Sequence, residues 1–153
     1  MNHEETAVAF FGNNFNCSQA VFATFAEELG MDVETALKIG TPFGSGARRG
    51  EICGAVSGAL MVLGLKYGHC HSENKEEKAR AYQVADDFLN RFTEAKGTVV
   101  CRELLNYDLT KEEDIKEIMS QNLFRTVCPE MVRCAAAIVE EMLAEELYAE
   151  MKS

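Results

Sequence analysis

Apolar residues recur every three or four positions through most of the chain, a spacing that places them on one face of an α-helix. No stretch shows the alternation of polar and apolar residues that is typical of a half-buried β-strand. Glycines and capping residues divide the pattern into segments. The predicted helices are His3–Phe11, Asn16–Leu29, Val33–Ile39 after an Asp32 cap, Glu51–Tyr67, a helix from a Ser72 cap to about Ala95, Val99–Asn106 after a Thr98 cap, a helix from a Thr110 cap with Glu113 in a capping box, and a helix from a Cys128 cap to about Met151.

The segment Glu51–Tyr67 is apolar on nearly all sides, which is typical of a helix buried in a core. Its apolar run Ile52–Leu65 is 14 residues long, whereas a membrane-spanning helix needs roughly 20. We therefore expect a buried core helix and no membrane insertion. The predicted fold is all-α, a single-domain helical bundle over residues 1–153 around this buried, glycine-containing central helix.

Two glycines of this segment, Gly54 and Gly58, lie four residues apart and therefore share one helix face. Glycine inside a helix costs up to about 1 kcal/mol relative to alanine, so a compensating interaction is expected. That interaction is either close packing of a neighbouring helix backbone or close approach of a bound group. Both glycines are therefore candidate cofactor-binding residues as well as candidate packing residues.

The net charge of −10 argues against nucleic acid and anionic membrane surfaces as partners, because both bind basic surfaces. The N-terminal segment lacks the basic region and the long apolar run of a secretory signal. We therefore expect a cytoplasmic location, a reducing compartment in which disulfide frameworks are rare. The six cysteines are then packed thiols, metal ligands or redox-active groups. Whether the chain forms a homo-oligomer is left open.

Four cysteines fall at predicted helix starts, where unpaired backbone N–H groups stabilise a thiolate. They are Cys17, Cys53, Cys101 and Cys128. Because a thiolate is both a nucleophile and a ligand for soft metal ions, these four are the candidate catalytic residues and the candidate metal ligands. No CxxC or CxxCH pattern is present, so neither a thioredoxin-type dithiol nor covalently attached haem is indicated. A shared site would have to be assembled by the fold.

The glycine-rich loop GTPFGSGARRG, residues 40–50, leads into the helix start at Cys53. Arg48 and Arg49 lie close to Cys53 in sequence, so we expect its thiol to ionise more easily than a free thiol and to be the attacking thiolate. Loop amides before a helix, together with these arginines, also form a candidate anion-binding or cofactor-binding site. The alternative is a plain connector whose two arginines are solvated or paired with Glu51.

The two remaining cysteines are interpreted differently. Cys134 lies inside the last predicted helix, about 120° around from Cys128, and is interpreted as a packing residue. Cys70 lies between His69 and His71 in a predicted turn. This trio is either a metal site or an exposed polar turn.

The segments NCSQAV at 16–21, GEICGAVSGAL at 50–60 and CRELL at 101–105, followed by Cys128, resemble the C_GCAxxG_C_C family of redox-active proteins. The resemblance covers nearly the whole chain. It implies that Cys17, Cys53, Cys101 and Cys128 are the functional cysteines and leaves Cys70 and Cys134 outside. It also implies a functional link to a transporter, because family members are often associated with transporter loci. A related domain in split-Soret-type cytochromes accompanies an iron–sulfur site, and only that part of the analogy applies to a chain without a haem-attachment motif.

Three hypotheses follow. The first is a redox-active protein in which the four cysteines converge for thiol/disulfide exchange or electron transfer with an unknown redox partner. The second is that the same four hold an iron–sulfur cluster or another thiophilic metal. The third is a helical binding or assembly module whose cysteines are buried small hydrophobes without redox chemistry.

Overall fold

The computed structural model describes residues 1–152, and this part of the chain is all-helical, as predicted. Its helices are α1 (His3–Gly12), α2 (Cys17–Ala26), α3 (Val33–Gly40), α4 (Gly54–Tyr67), α5 (Lys75–Lys96), α6 (Cys101–Leu105), α7 (Glu112–Ser120), α8 (Leu123–Thr126) and α9 (Cys128–Lys152). None of these described helices is both long enough and apolar enough to cross a membrane.

The Asp32 cap predicted for the third helix is confirmed, and Asn16, where the second helix is predicted to start, is the cap of α2. Asn16 starts α2 with a reciprocal capping box, in which its side chain accepts from the Gln19 backbone N–H at 2.9 Å and the Gln19 side chain accepts from the Asn16 N–H at 2.8 Å. Asp32 caps α3 through its side chain, which accepts from the Thr35 backbone N–H at 2.9 Å. The helical pattern continues past α2 as a 3₁₀ turn, Glu27–Leu29, which ends at a left-handed Gly30.

Two predicted caps further along the chain are wrong. Asn74 rather than Ser72 caps α5, because its side-chain oxygen accepts from a backbone N–H in the first turn. Thr110 does not cap α7, because its hydroxyl donates to Asp108 at 2.5 Å and the helix starts one residue later than predicted, after Lys111. A turn formed by Asp108 thus replaces the expected capping box.

The main hydrophobic core lies between α2, α4, α5 and α9, with α1 packed on α2 and α9. Its largest fully buried apolar side chains are Val21, Phe25, Val56, Val62, Phe88, Phe92, Val132 and Val139. A second, smaller cluster of buried residues surrounds α6 and α7 and contains Cys101, Leu105, Leu109 and Ile118. The molecule therefore has two apolar clusters, and the predicted cysteines are divided between them.

The helices α2 and α4 pack more extensively than any other pair in the described chain, and the reason is the glycine face of α4. A Cβ atom at Gly58 would lie 2.6 Å from the carbonyl oxygen of Ser18 and 3.2 Å from Cβ of Val21. Alanine at Gly58 would therefore force the two backbones apart. Close packing of a neighbouring helix, one of the two interpretations of this glycine, is what occupies its open side.

The helix predicted from Glu51 begins three residues later, at Gly54, because residues 51–53 are extended. They pair with residues 99–101 in a short antiparallel bridge between Ile52 and Val100. Thr98 therefore does not cap a helix that starts at Val99: its hydroxyl oxygen accepts from the Val100 N–H at 3.1 Å, and α6 starts after Val100.

Candidate functional site

A cavity of about 350 Å³ lies where the two apolar clusters meet, and all four cysteines predicted from helix starts line it. Cys17 and Cys53 belong to the main core, whereas Cys101 and Cys128 belong to the smaller cluster. The lining residues are Phe11, Gly12, Asn14, Phe15, Asn16, Cys17, Ser45, Cys53, Gly54, Cys101, Leu104, Leu105, Phe124, Arg125, Val127, Cys128 and Met131. The fold thus brings together four thiols that are far apart in sequence.

Each of these cysteines stands at a helix start, as predicted. Cys17, Cys101 and Cys128 are the first residues of α2, α6 and α9, and Cys53 is the residue before α4. Four helix N-termini therefore meet around one cavity. Backbone N–H groups near these helix starts lower the pKa of Cys17 and of Cys53, but burial has the larger and opposite effect.

The extended bridge connects two of the four cysteines. The backbone N–H of Cys53 donates to the Val99 carbonyl at 2.8 Å, and the N–H of Cys101 donates to the Glu51 carbonyl at 2.6 Å. These two hydrogen bonds flank the Ile52–Val100 pair. The starts of α4 and α6, which belong to different clusters, are thereby held side by side by the backbone.

The glycine-rich loop before α4 has an unusual conformation. Ser45, Gly46, Ala47 and Arg48 are consecutive residues with φ between 55° and 66°, which makes a left-handed turn. Residues other than glycine adopt this conformation at a cost of roughly 1 kcal/mol or more each. A Cβ atom at Gly46 would lie 2.9 Å from Cβ of Cys101. The left-handed turn thus brings the loop directly against Cys101, and Ser45 lines the cavity.

The first glycine of α4, Gly54, packs against the thiol of Cys17. A Cβ atom at Gly54 would overlap Sγ of Cys17 and lie 3.0 Å from the Phe43 carbonyl oxygen. Gly54 therefore makes room for the Cys17 side chain. Gly58, one turn further along, is not among the described lining residues.

Burial raises the pKa of each lining thiol. Cys17, Cys53 and Cys101 have exposed fractions of 6 to 8%, and Cys128 is half-buried. Burial, followed by the charge of a neighbouring Cys17 thiolate, raises the pKa of Cys101 and of Cys128 to about 12. The thiols are therefore neutral at physiological pH in this conformation.

The prediction that Cys53 ionises more easily than a free thiol is wrong. Burial and the nearby Cys17 raise the pKa of Cys53 well above its usual range, and the backbone N–H groups of Ala55 and Val56 oppose this effect without overcoming it. The expectation rested on local sequence alone. Removal from water, which the sequence does not show directly, is the larger effect.

Cys17 affects the ionisation of the other three lining thiols. After burial, a negative charge on Cys17 is the next largest cause that raises the pKa of Cys53, Cys101 and Cys128. Burial raises the pKa of Cys17 itself, and hydrogen bonds from backbone groups that include Ser45 and Ala55 partly offset that rise. The left-handed loop and the start of α4 both contribute to holding this sulfur.

The two loop arginines lie outside the cavity. Arg48 and Arg49 are exposed, and the Arg49 guanidinium donates to the Arg48 carbonyl at 3.0 Å. Glu51, which the sequence suggested as their partner, pairs instead with Arg102 at 2.9 Å. The proposed cofactor role of Arg48 and Arg49 therefore has no support from the lining of this cavity.

The other cysteines and the histidines are separate from the cavity. Cys134 is half-buried in α9 against the main core, whereas Cys70 is exposed in the turn before α5. His3 lies between Glu28 and Glu140, with 2.7 Å contacts to each. Within residues 1–152, no group of three or more His, Cys, Asp or Glu side chains is arranged to hold a metal ion.

Sequence reasoning missed the charged lining residue, Arg125. Among the described lining residues it is the one charged side chain. It lies on α8, a helix of four residues that is too short to show a hydrophobic periodicity. The available signal was its position three residues before Cys128.

A family model described as "Putative redox-active protein (C_GCAxxG_C_C)" matches residues 15–142 of this chain. The matched range contains all four cavity cysteines and leaves out the whole of α1 and the end of α9. No curated protein and no solved structure matches the chain.

Proposed function

Because this chain belongs to the C_GCAxxG_C_C family, which is named for redox activity, we propose that it carries out reversible thiol–disulfide exchange at the four-cysteine cavity. The observation that carries the proposal is the convergence of Cys17, Cys53, Cys101 and Cys128 on one cavity. Unrelated packing thiols have no reason to meet at four helix N-termini. Cys70 and Cys134, which line no part of it, have no role in the proposal.

The exchange proceeds in two steps. A lining cysteine gives its proton to solvent and its thiolate attacks one sulfur of a disulfide RS–SR, so that a protein–S–SR bond forms, the substrate S–S bond breaks, and one RS⁻ leaves and takes up a proton. A second lining cysteine gives its proton to solvent and attacks the protein sulfur of the mixed disulfide, which releases the second RS⁻. Two protein thiols are oxidised to one disulfide, and RS–SR is reduced to two RSH. The reverse sequence reduces the protein again.

The solvent exposure and the hydrogen bonding of each cysteine indicate which of them carries out which step. Cys128 is the most exposed of the four, so we assign it the first attack on substrate. Cys17 lines the same cavity as Cys128 and receives backbone hydrogen bonds from the loop and from α4, so we assign it the second attack. This replaces Cys53, which has an exposed fraction of only 6% and is therefore less accessible to a substrate than Cys128.

A disulfide between Cys17 and Cys128 would connect the main core to the smaller cluster. Closing a long loop of chain restricts the unfolded ensemble and typically stabilises a fold by about 2–4 kcal/mol. The oxidised protein is therefore expected to be more stable than the reduced protein. Redox state and the contact between the two clusters are linked in this proposal.

The iron–sulfur alternative has the appropriate donors, since four thiolates suit such clusters. The four thiols as they stand do not form a metal-ligand group among the described residues, so we assign no step to a cluster. A cluster bound there would supply electron transfer without a change in S–S bonding. This difference makes the two hypotheses separable by experiment.

The test is a redox titration of protein purified without air, with thiol counting and disulfide mapping by mass spectrometry. Wild-type protein should lose two thiols in one transition, and Cys17→Ser or Cys128→Ser should abolish that transition. Cys70→Ser and Cys134→Ser are matched controls that should retain it. Absence of a disulfide within the cavity at every potential would overturn the proposal. Stoichiometric iron, with visible absorbance lost in Cys17→Ser but not in Cys70→Ser, would establish the cluster instead.

A further inference from the structure

The cavity is suited to a small molecule with an apolar body. A volume of about 350 Å³ is at the lower end of the range for small-molecule sites. Apart from the thiols, its walls are mainly apolar side chains: Phe11, Phe15, Leu104, Leu105, Phe124, Val127 and Met131. Such walls bind and desolvate an apolar group, but they do not orient it. Orientation requires a polar contact at a defined position.

Arg125 is the lining side chain that can provide a charged contact. It is exposed, and the structure gives its guanidinium neither a hydrogen bond nor an ion pair to any described residue. Arg80, Arg91 and Arg102, in contrast, each pair with carboxylates. In a chain of net charge −10, an unpaired cation beside an apolar cavity is a local site of positive potential.

Arg125 lies three residues before Cys128 and lines the same cavity. Because its guanidinium has no described hydrogen-bond or ion-pair partner, it is available to a ligand that enters the cavity. A guanidinium binds a carboxylate through two parallel hydrogen bonds, which fixes orientation as well as position.

We propose that the substrate of this cavity is a low-molecular-weight disulfide, or its thiol, that carries a carboxylate, and that Arg125 binds this carboxylate while the apolar walls hold the rest of the molecule. This inference rests on the proposed thiol–disulfide exchange and adds the class of substrate. Arg125 takes no part in bond making. It orients the disulfide so that one sulfur meets Cys128.

The test compares two aromatic disulfides, dithiobis-nitrobenzoate, which carries a carboxylate on each ring, and neutral dithiodipyridine. A Cys70→Ser, Cys134→Ser background removes thiols outside the cavity. Arg125→Gln removes the charge and leaves at most one of the two parallel hydrogen bonds, so it should slow reaction with the carboxylate probe by about tenfold. Its rate with the neutral probe should stay within about twofold. Arg125→Lys should recover part of the loss because it keeps the charge.

The matched control is Arg133→Gln on α9, which removes the same charge at an exposed position that does not line the cavity. It should leave both rates nearly unchanged. Equal slowing of both probes by Arg125→Gln, or equal slowing of the carboxylate probe by Arg133→Gln, would overturn the inference. Unfolding midpoints of the variants should match that of the background protein, so that a rate change reports binding rather than folding.

The same experiment separates this inference from the exchange on which it rests. Release of the first thiolate reports attack within the cavity, and release of the second reports closure of the protein disulfide. A first release that depends on Arg125, without a second release, would support carboxylate recognition and contradict exchange. Two releases with no dependence on Arg125 would support exchange and contradict carboxylate recognition.

Discussion

The two ends of α4 border cavities of opposite character. At its start, Cys53 and Gly54 border the apolar cavity of about 350 Å³ with its four thiols. At its other end lies a polar pocket of about 510 Å³, lined by Lys66, Tyr67, Asn74, Glu76, Glu77, Arg80 and Glu146. One apolar helix thus separates two environments with different chemistry.

The polar pocket contains groups that satisfy one another. The Tyr67 hydroxyl donates to Glu146, Arg80 pairs with Glu146 at 2.7 Å, and the Arg80 guanidinium lies 5.5 Å from the Tyr67 ring centroid. At the cysteine cavity, burial instead keeps the thiols neutral, and Arg125 has no described partner. Groups that are already paired stabilise a fold, whereas unpaired groups beside a cavity are available to a ligand. This difference favours the cysteine cavity at the start of α4, rather than the polar pocket at its other end, as the site that binds a ligand.

The largest expected effect on stability is at Gly58, in the half of α4 nearer the cysteine cavity. Gly58→Ala should lower the free energy of unfolding by about 1–3 kcal/mol, because the new methyl group meets the Ser18 carbonyl oxygen of α2 at 2.6 Å. Urea denaturation of the reduced protein measures this change.

Gly64→Ala, in the last turns of the same helix, is the matched control. A Cβ atom there meets nothing within 4 Å, so alanine should stabilise the helix by up to about 1 kcal/mol. Equal effects of the two substitutions would show that the glycine face of α4 does not set the separation of α2 and α4.

The second effect is the dependence of stability on pH, which should originate at the cysteine end. A thiol in the unfolded chain ionises near its ordinary pKa of about 8.5, whereas the folded pKa of Cys101 is raised to about 12. Stability is therefore complete below the unfolded pKa and is lost as pH rises toward the folded value. The free energy of unfolding should fall by up to about 1.4 kcal/mol per pH unit for each such thiol.

Cys101→Ser tests the origin of this slope, because a serine hydroxyl does not titrate in this range. Urea denaturation between pH 8.5 and about 10, with a reductant present, should give a smaller slope for the variant than for wild-type protein. That window lies mostly below the ordinary pKa of tyrosine, so it reports on thiols. An unchanged slope would mean that Cys101 is not removed from water as the structure indicates.

Much of the site could be predicted from sequence because its determinants are local. Cys17, Cys101 and Cys128 stand beside recognisable helix starts, and a helix start is encoded within a few residues. The all-helical fold follows from a periodicity that is likewise local. The family resemblance selected the same cysteines because their sequence neighbourhoods are distinctive.

The missing parts depend on contacts between distant segments. The bridge between Ile52 and Val100 joins residues 48 positions apart, and no local sequence pattern predicts it. The pKa of Cys53 depends on burial, which both clusters create together. Arg125 gains its position only when α8 and α9 close the cavity wall. Sequence therefore identified the four cysteines that line the cavity but not their environment.

A smaller effect is expected at the polar end. Tyr67→Phe should lower the free energy of unfolding at neutral pH by about 1 kcal/mol, because Glu146 loses one hydrogen bond but keeps Arg80. Burial and the Glu146 contact raise the pKa of Tyr67 above its ordinary value. The advantage of wild-type protein should therefore shrink above about pH 10, where tyrosine ionises in the unfolded chain.

The rate of reaction of the cavity thiols with dithiodipyridine serves as the control for Tyr67→Phe. It should equal that of wild-type protein, because Tyr67 belongs to the other end of α4 and does not line the cysteine cavity. A changed thiol rate would show that the two ends are coupled through α4 and are not independent.

The smallest effect is expected at the surface pair beside the cysteine cavity. Glu51 and Arg102 pair at 2.9 Å, but their side chains are 60% and 45% exposed. Glu51→Gln should therefore change the free energy of unfolding by no more than about 0.5 kcal/mol. The two backbone hydrogen bonds of the bridge, between Cys53 and Val99 and between Glu51 and Cys101, do not involve this carboxylate and should hold the cavity wall in the variant. Urea denaturation at low and high salt, with the dithiodipyridine rate measured alongside, checks both statements. A loss above about 1 kcal/mol that disappears at high salt would mean that the ion pair, rather than the backbone bridge, joins the two clusters at this wall.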